Sequence, residues 1–253
     1  MTEYDQEAQF LERIQRGEKI SDPGEMPSGF KDAVSELLTI QAKCEFHGGN
    51  NELFYCARLA QTYEDREWIT HTGFEEIGHA RILVEGSLHT LGIVPVFKSD
   101  PRHEQKILRI FQRYDLFETW PDVRMFAYLM DGAAGQQLSE FKQGPYLPWT
   151  RDIERIEEEE AGHTKEGELG IREWAERPDG LAELQSSLDK WIELVLDVFG
   201  SLDTQSHELS SRKLPRYLKY RLKQQGNNAS REQFKAHIKS FLIDEIGLTS
   251  PLL

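Results

Sequence analysis

The sequence predicts an all-α fold, and three observations carry that prediction. Apolar residues recur at helical spacing nearly throughout, no stretch sustains the period-two alternation of a half-buried strand, and no cluster of β-branched residues sits between hairpin turns. Breakers instead divide the chain into a series of helices. An opening helix around "AQFLERIQ" runs into the turn Asp22-Pro23-Gly24, and after Pro27-Ser28 a long helix extends to about residue 60. "TYED" at 62 to 65 has capping-box form and opens a second long helix, ending near Leu91-Gly92. A connection over 92 to 120, with Pro95 and Asp100-Pro101, is expected to hold one short helix around 103 to 113. Pro121 suits the first turn of a third long helix that closes at Gly144-Pro145. A fourth spans about 149 to 177 and stops before Pro178-Asp179-Gly180. An apolar helix over roughly 181 to 199, a basic helix, and a last helix opened by Ser230 and ended by Gly247 complete the chain.

Two helical hairpins joined by one long crossover form the ferritin-like arrangement of the four-helix bundle, here with additional N- and C-terminal helices. The 253 residues, 38% of them hydrophobic, are expected to make a single ferritin-like domain, with the core bundle at about 30–177 and a helical extension at about 181–253. A formal charge of -14 disfavours nucleic acid and anionic membranes as partners. The stretch "RKLPRYLKYRLK" at 212 to 223 is the one basic patch, and a solvated amphipathic face is the simpler reading of it. Cys44 and Cys56, twelve residues apart on one predicted helix, cannot bridge each other, which suits a reducing cytoplasm. No window approaches the roughly 18 apolar residues that cross a bilayer, so a soluble cytoplasmic protein is expected.

The chemistry is concentrated in two Glu-x-x-His motifs, "EEIGH" at 75 to 79 and "EEEEAGH" at 157 to 163. Spacing of three places Glu76 with His79, and Glu160 with His163, on one helical face each. With 30 glutamates and 8 histidines, about one such motif should arise by chance, so the pair alone is weak. Position on the helix is more telling. Ile153, Ile156, Glu160, His163, Gly167, Gly170 and Trp174 step by three and four, as do Ile69, Thr72, Glu76, His79 and Leu83, so both motifs lie on the apolar stripe while Glu157, Glu158 and Glu159 fall largely off it. Buried carboxylates and imidazoles need compensating positive charge, and a metal supplies it.

Facing residues of an antiparallel hairpin lie equally far from its turn. Glu45 is as far before the turn near 60 to 62 as Glu76 is after it, and Asp131 and Glu160 are balanced in the same way about Gly144-Pro145. Glu52, one heptad after Glu45, is a rival on the first long helix. The resulting set of Glu45, Glu76, His79, Asp131, Glu160 and His163 matches the ligands of carboxylate-bridged di-iron or di-manganese bundles, with manganese or a mixed pair as options beside two irons. No catalytic residue beyond the metal ligands is called for. Zinc fits less well, because cysteine is absent from the set.

These residues, with "CEF" at 44 to 46, "YLMDGAAGQQ" at 128 to 137, "GPY" at 144 to 146 and "VFG" at 198 to 200, give a sequence that resembles the catalytic subunit family of phenylacetyl-CoA epoxidase, a ferritin-like di-iron monooxygenase. The resemblance implies the same six ligands, and activation of O2 to epoxidise or hydroxylate the ring of an aromatic acyl-CoA in phenylacetate catabolism. It also implies a separate reductase as electron source and a homo-oligomer or a hetero-oligomer with a related helical subunit. Where the family more often has alanine, this chain has Ile77, which is expected to reshape that side of the site. The basic stretch from Arg212 to Lys223 is a candidate for the CoA phosphates. Competing readings are a ferroxidase, a non-catalytic partner subunit, and a tRNA-modifying hydroxylase, the last disfavoured by charge.

Overall fold

The computed structural model describes residues 3–200 and 209–253, the side chains of 209–212 excepted. Helix α1 (Glu3–Gln15) turns Phe10 and Ile14 inward. Helix α2 (Ser28–Asn51) continues through a π-helical turn at Glu52–Cys56 and a tighter turn to Leu59. Helix α3 (Tyr63–Ile82) starts where the Asp65 N–H donates to Thr62 Oγ1 at 3.0 Å, and after a second π-helical turn it stops at Gly92, whose φ of 75° is left-handed. Helix α4 (Trp120–Phe141) carries a full capping box between Thr119 and Asp122, with Pro121 in its first turn. Helices α5 (Leu147–Ala175), α6 (Gly180–Asp197), α7 (Leu209–Lys219) and α8 (Asn227–Lys239) follow, and the described residues contain no strand. The all-α ferritin-like bundle expected from periodicity is therefore the observed fold.

Two expectations need correction. No helix forms over 103 to 113; the crossover makes only 3-10 turns at Pro101–His103, Arg109–Gln112 and Tyr114–Leu116. The left-handed φ of 57° at Lys106 interrupts any helix there, and the Glu104 carboxylate fixes the chain just before it by accepting the backbone N–H groups of Lys98 and Gln105. The last helix begins three residues before Ser230, after Gly226, and Ser230 is buried within its first turns.

Helices α2 and α3 form one hairpin and α4 and α5 the other, each with a close backbone approach beside the acidic residues. A Cβ on Gly49 of α2 would stand 2.4 Å from the Gly73 carbonyl of α3, and one on Gly167 of α5 would stand 2.5 Å from the Tyr128 nitrogen of α4. Gly73 precedes Glu76, and Tyr128 precedes Asp131, by one turn, so these contacts fix how near the acidic faces come. Helix α6 backs α4, where Asp122 accepts from Lys190 at 2.9 Å and from Ser187 at 2.8 Å. Buried Arg124 of α4 pairs with Asp65 at 2.9 Å and lies 4.0 Å over the Trp68 ring, tying α4 to α3. No described helix is long and apolar enough to cross a membrane.

Candidate metal centre

Helix α3 turns Glu76 and His79 inward because they share a face with Ile69, Thr72 and Gly73, and α5 does the same for Glu160 and His163 along Ile153, Ile156 and Gly167. Helix α2 adds Glu45 and α4 adds Asp131, and all six side chains are buried. Glu45, Glu76, His79 and Glu160 each offer a ligand atom within 4.8 Å of the others. His79 Nδ1 lies 3.5 Å from Glu160, 3.8 Å from Glu45 and 3.9 Å from Glu76, and His163 Nδ1 lies 3.1 Å from Glu76 Oε1. Asp131 lines the same cavity as Glu45, Glu76 and Glu160, with no direct hydrogen bond to any of them.

The orphaned atoms point to what is held there. Glu76 Oε1, His79 Nδ1, Asp131 Oδ2, Glu160 Oε2 and His163 Nδ1 are buried without an aligned hydrogen-bond partner, and so is Oε2 of Glu52. Among the described residues no lysine or arginine pairs with these carboxylates. Burial, and then the charge of Glu160, pushes the Glu76 and Asp131 carboxyls well above the usual range, and Glu52 is raised for the same two reasons. Burial works against a charged His79, yet Glu160 and Glu45 beside it outweigh that and raise the imidazolium to about 11. Such a cluster is costly as bare protein, and a hard divalent cation would satisfy the orphaned oxygens and both Nδ1 atoms together. The donor set fits a metal ion.

A further pair of residues completes the arrangement. His79 of α3 reaches across to Glu159 of α5, with Nε2 to Oε2 at 2.6 Å, and His163 of α5 reaches back to Glu75 of α3 at 2.9 Å. Each carboxylate accepts from Nε2–H and so turns Nδ1 toward the centre. Sequence reasoning placed Glu159 off the buried stripe; its side chain is 45% exposed, yet it holds the buried His79. The doublets Glu75-Glu76 and Glu159-Glu160 carried the signal, since in each motif an extra glutamate directly precedes the inward one. The rival Glu52 is inside as well, at the start of the α2 π-helical turn, so helix α2 contributes two buried carboxylates rather than one. On the opposite flank Trp149 Nε1 donates to Gln41, whose amide donates to Glu45 at 3.1 Å. Ile77 lies with its Cγ1 over Gly49, filling the α2–α3 contact.

A cavity of about 500 Å³ adjoins the cluster. Its walls are mostly apolar, from Leu37, Ile40, Phe111, Phe126, Met130 and Phe199, and Lys213, Tyr217 and Lys223 lie along it as well. The basic stretch is largely engaged within the fold. Lys213 and Arg216 both pair with Glu36, Lys219 pairs with Glu7 at 3.0 Å, Arg221 donates to the Ile14 carbonyl, and Lys223 donates to Asn227 at 2.9 Å. The pairs with Glu36 and Glu7 pin α7 onto α2 and α1; the Arg212 side chain lies outside the described residues.

No curated protein sequence matches this one significantly. A family model described as phenylacetic acid catabolic protein matches residues 15–252, nearly the whole chain and all of the acidic cluster. With that match spanning both hairpins and the buried Glu/His cluster between them, the chain belongs to the phenylacetic acid catabolic protein family.

Proposed function

We propose that this chain is the di-iron oxygenase component of a multicomponent phenylacetate oxygenase, with Glu45, Glu76, His79, Asp131, Glu160 and His163 as the ligands. The observation that carries the reading is that buried carboxylate and Nδ1 atoms of Glu76, His79, Asp131, Glu160 and His163 lack hydrogen-bond partners, around a cluster in which Glu45, Glu76, His79 and Glu160 already converge. Two bound irons, reduced by a separate reductase, would supply activation of O2 and transfer of one oxygen atom to an aromatic ring.

The chain's own residues do the positioning. Glu159 and Glu75 hold the Nε2 edges of His79 and His163 so that each Nδ1 faces inward, and the four carboxylates balance the charge of two divalent ions. The apolar cavity keeps water from the cluster and seats the aromatic end of an acyl-CoA, its nucleotide remaining outside. A related helical subunit would complete the assembly. Intact ligands favour the catalytic over the partner role, and the cavity favours an organic substrate over iron alone.

The test is metal analysis of the purified protein, followed by O2 uptake with phenylacetyl-CoA and a reductant. Two irons per chain and uptake that depends on the acyl-CoA are expected. Iron-dependent uptake that ignores the acyl-CoA would overturn the reading in favour of iron oxidation, and protein that takes up no metal would overturn it altogether.

A further inference from the structure

Helix α2 presents two functional faces. Residues 41, 45, 48 and 52 border the cavity and its acidic cluster, while Lys43, His47 and Asn51, spaced by four, face the crossover between the hairpins. The crossover is fastened to that second face at two points. Glu104, with a side chain only 2% exposed, accepts from Lys43 Nζ at 2.5 Å and from two backbone N–H groups, and its other oxygen lies 3.4 Å from His47 Nε2. Seven residues on, the Phe111 carbonyl accepts from Asn51 at 3.0 Å. Between the two fastenings Lys106 holds its left-handed backbone, a conformation that a lysine keeps only where its surroundings impose it.

The segment so fixed delivers Leu108 and Phe111 into the cavity wall. Phe111 stands close to the acidic cluster: a Cβ on Gly48 would lie 3.3 Å from the Phe111 ring and 3.8 Å from Glu76 Oε2, so ring and carboxylate flank the same point. Gly48 is what lets the ring come that near.

From this placement we infer that Phe111 sets the size of the aromatic group admitted beside the acidic cluster, and that the buried Glu104–Lys43 pair is the positioning device that holds Phe111 there. The inference rests on the reading of the cavity as the substrate site. It assigns Phe111 a specificity role and Glu104 and Lys43 a role exerted through Phe111. A buried ion pair is weak evidence of stabilisation in itself, whereas fixing one arrangement of a loop is a use such pairs do have.

The experiment titrates the full-length, iron-loaded protein with phenol and with 2-naphthol, by calorimetry or ligand-observed NMR, and needs no turnover. Phe111→Ala is expected to shift the ratio of the two affinities toward 2-naphthol by roughly tenfold or more, and Phe111→Trp to shift it the opposite way. Glu104→Gln should move the ratio in the direction of Phe111→Ala and speed amide exchange across residues 98–112, with iron content unchanged. A ratio that stays within about twofold of wild type in both Phe111 variants, or wild-type protein that binds neither arene, would overturn the specificity role. Glu104→Gln that lowers Tm but leaves the ratio alone would overturn the positioning role. Absence of O2 uptake with phenylacetyl-CoA would sink the proposed activity while leaving these affinity ratios as they are.

Discussion

Asp131→Asn is the substitution that best separates a metal centre from a merely polar core. Asp131 is buried on α4, its Oδ2 has no hydrogen-bond partner, and burial together with Glu160, Glu52 and Glu45 pushes its carboxyl well above the usual range. Without metal, the side chain makes no bond that asparagine would lose, and folding must hold it protonated against its ordinary tendency to ionise, a cost that asparagine does not carry. Single substitutions at buried sites change stability by about 0.5–3 kcal/mol, and a gain of that order raises Tm by roughly 1–10 °C in a chain of this size. With metal the sign reverses, because the variant has lost a ligand. The assay is thermal unfolding of chelator-treated and iron-loaded protein, with iron measured per chain. The variant should melt higher than wild type as apo-protein, gain less from iron, and hold fewer irons. An apo-variant that melts lower, with iron content and iron-induced stabilisation intact, would refute the reasoning and make the cluster a structural network.

Other consequences can be checked on the same protein. Glu159→Ala and Glu75→Ala should each weaken metal binding by roughly 10–100-fold in a chelator competition while far-UV circular dichroism stays native, since each frees a histidine ring without removing a ligand. Burial opposes the charge on Glu104, but Lys43 and the backbone donors outweigh it and hold its carboxyl at about 2. A folded pKa below the unfolded one stabilises above the unfolded value, so about 3 kcal/mol should be lost as pH falls from about 4.5 through 2. Acid titrations of wild type and Glu104→Gln should differ by that slope, and parallel curves would deny it. Gly167→Ala would press a methyl group to 2.5 Å from the Tyr128 backbone nitrogen; a loss of about 1–3 kcal/mol in urea unfolding and a fall in bound iron are expected together.

Much of this fold was legible because its signals are local. Periodicity located the bundle helices, and Thr62, Pro121, Gly92 and Gly247 marked starts and stops by mechanisms that act within a few residues. The six inward residues were found from the apolar stripe and the hairpin turns, and all six are buried. What escaped depends on contacts between distant segments. Glu159 looked like surface because the helical wheel cannot show a histidine 80 positions away. The short helix expected in the crossover is absent because Glu104, held by Lys43, gathers in the Lys98 and Gln105 backbone and Lys106 turns left-handed, breaking helical continuity. Ser230 had the chemistry of a cap, but the chain turns before it, at Gly226. The basic stretch read as an open patch because Glu36 and Glu7, its partners, lie some 180 to 210 positions earlier.

The reciprocal histidine bonds also bear on how the protein is built. Each imidazole belongs to one hairpin and is aimed by a carboxylate of the other, so neither hairpin alone owns an oriented nitrogen. Competence to take up cations is then created by docking, at the moment the two halves interlock, and not by either half beforehand. An ion entering afterwards would act as a rivet through both halves, so that chelation should loosen their association before it melts any helix.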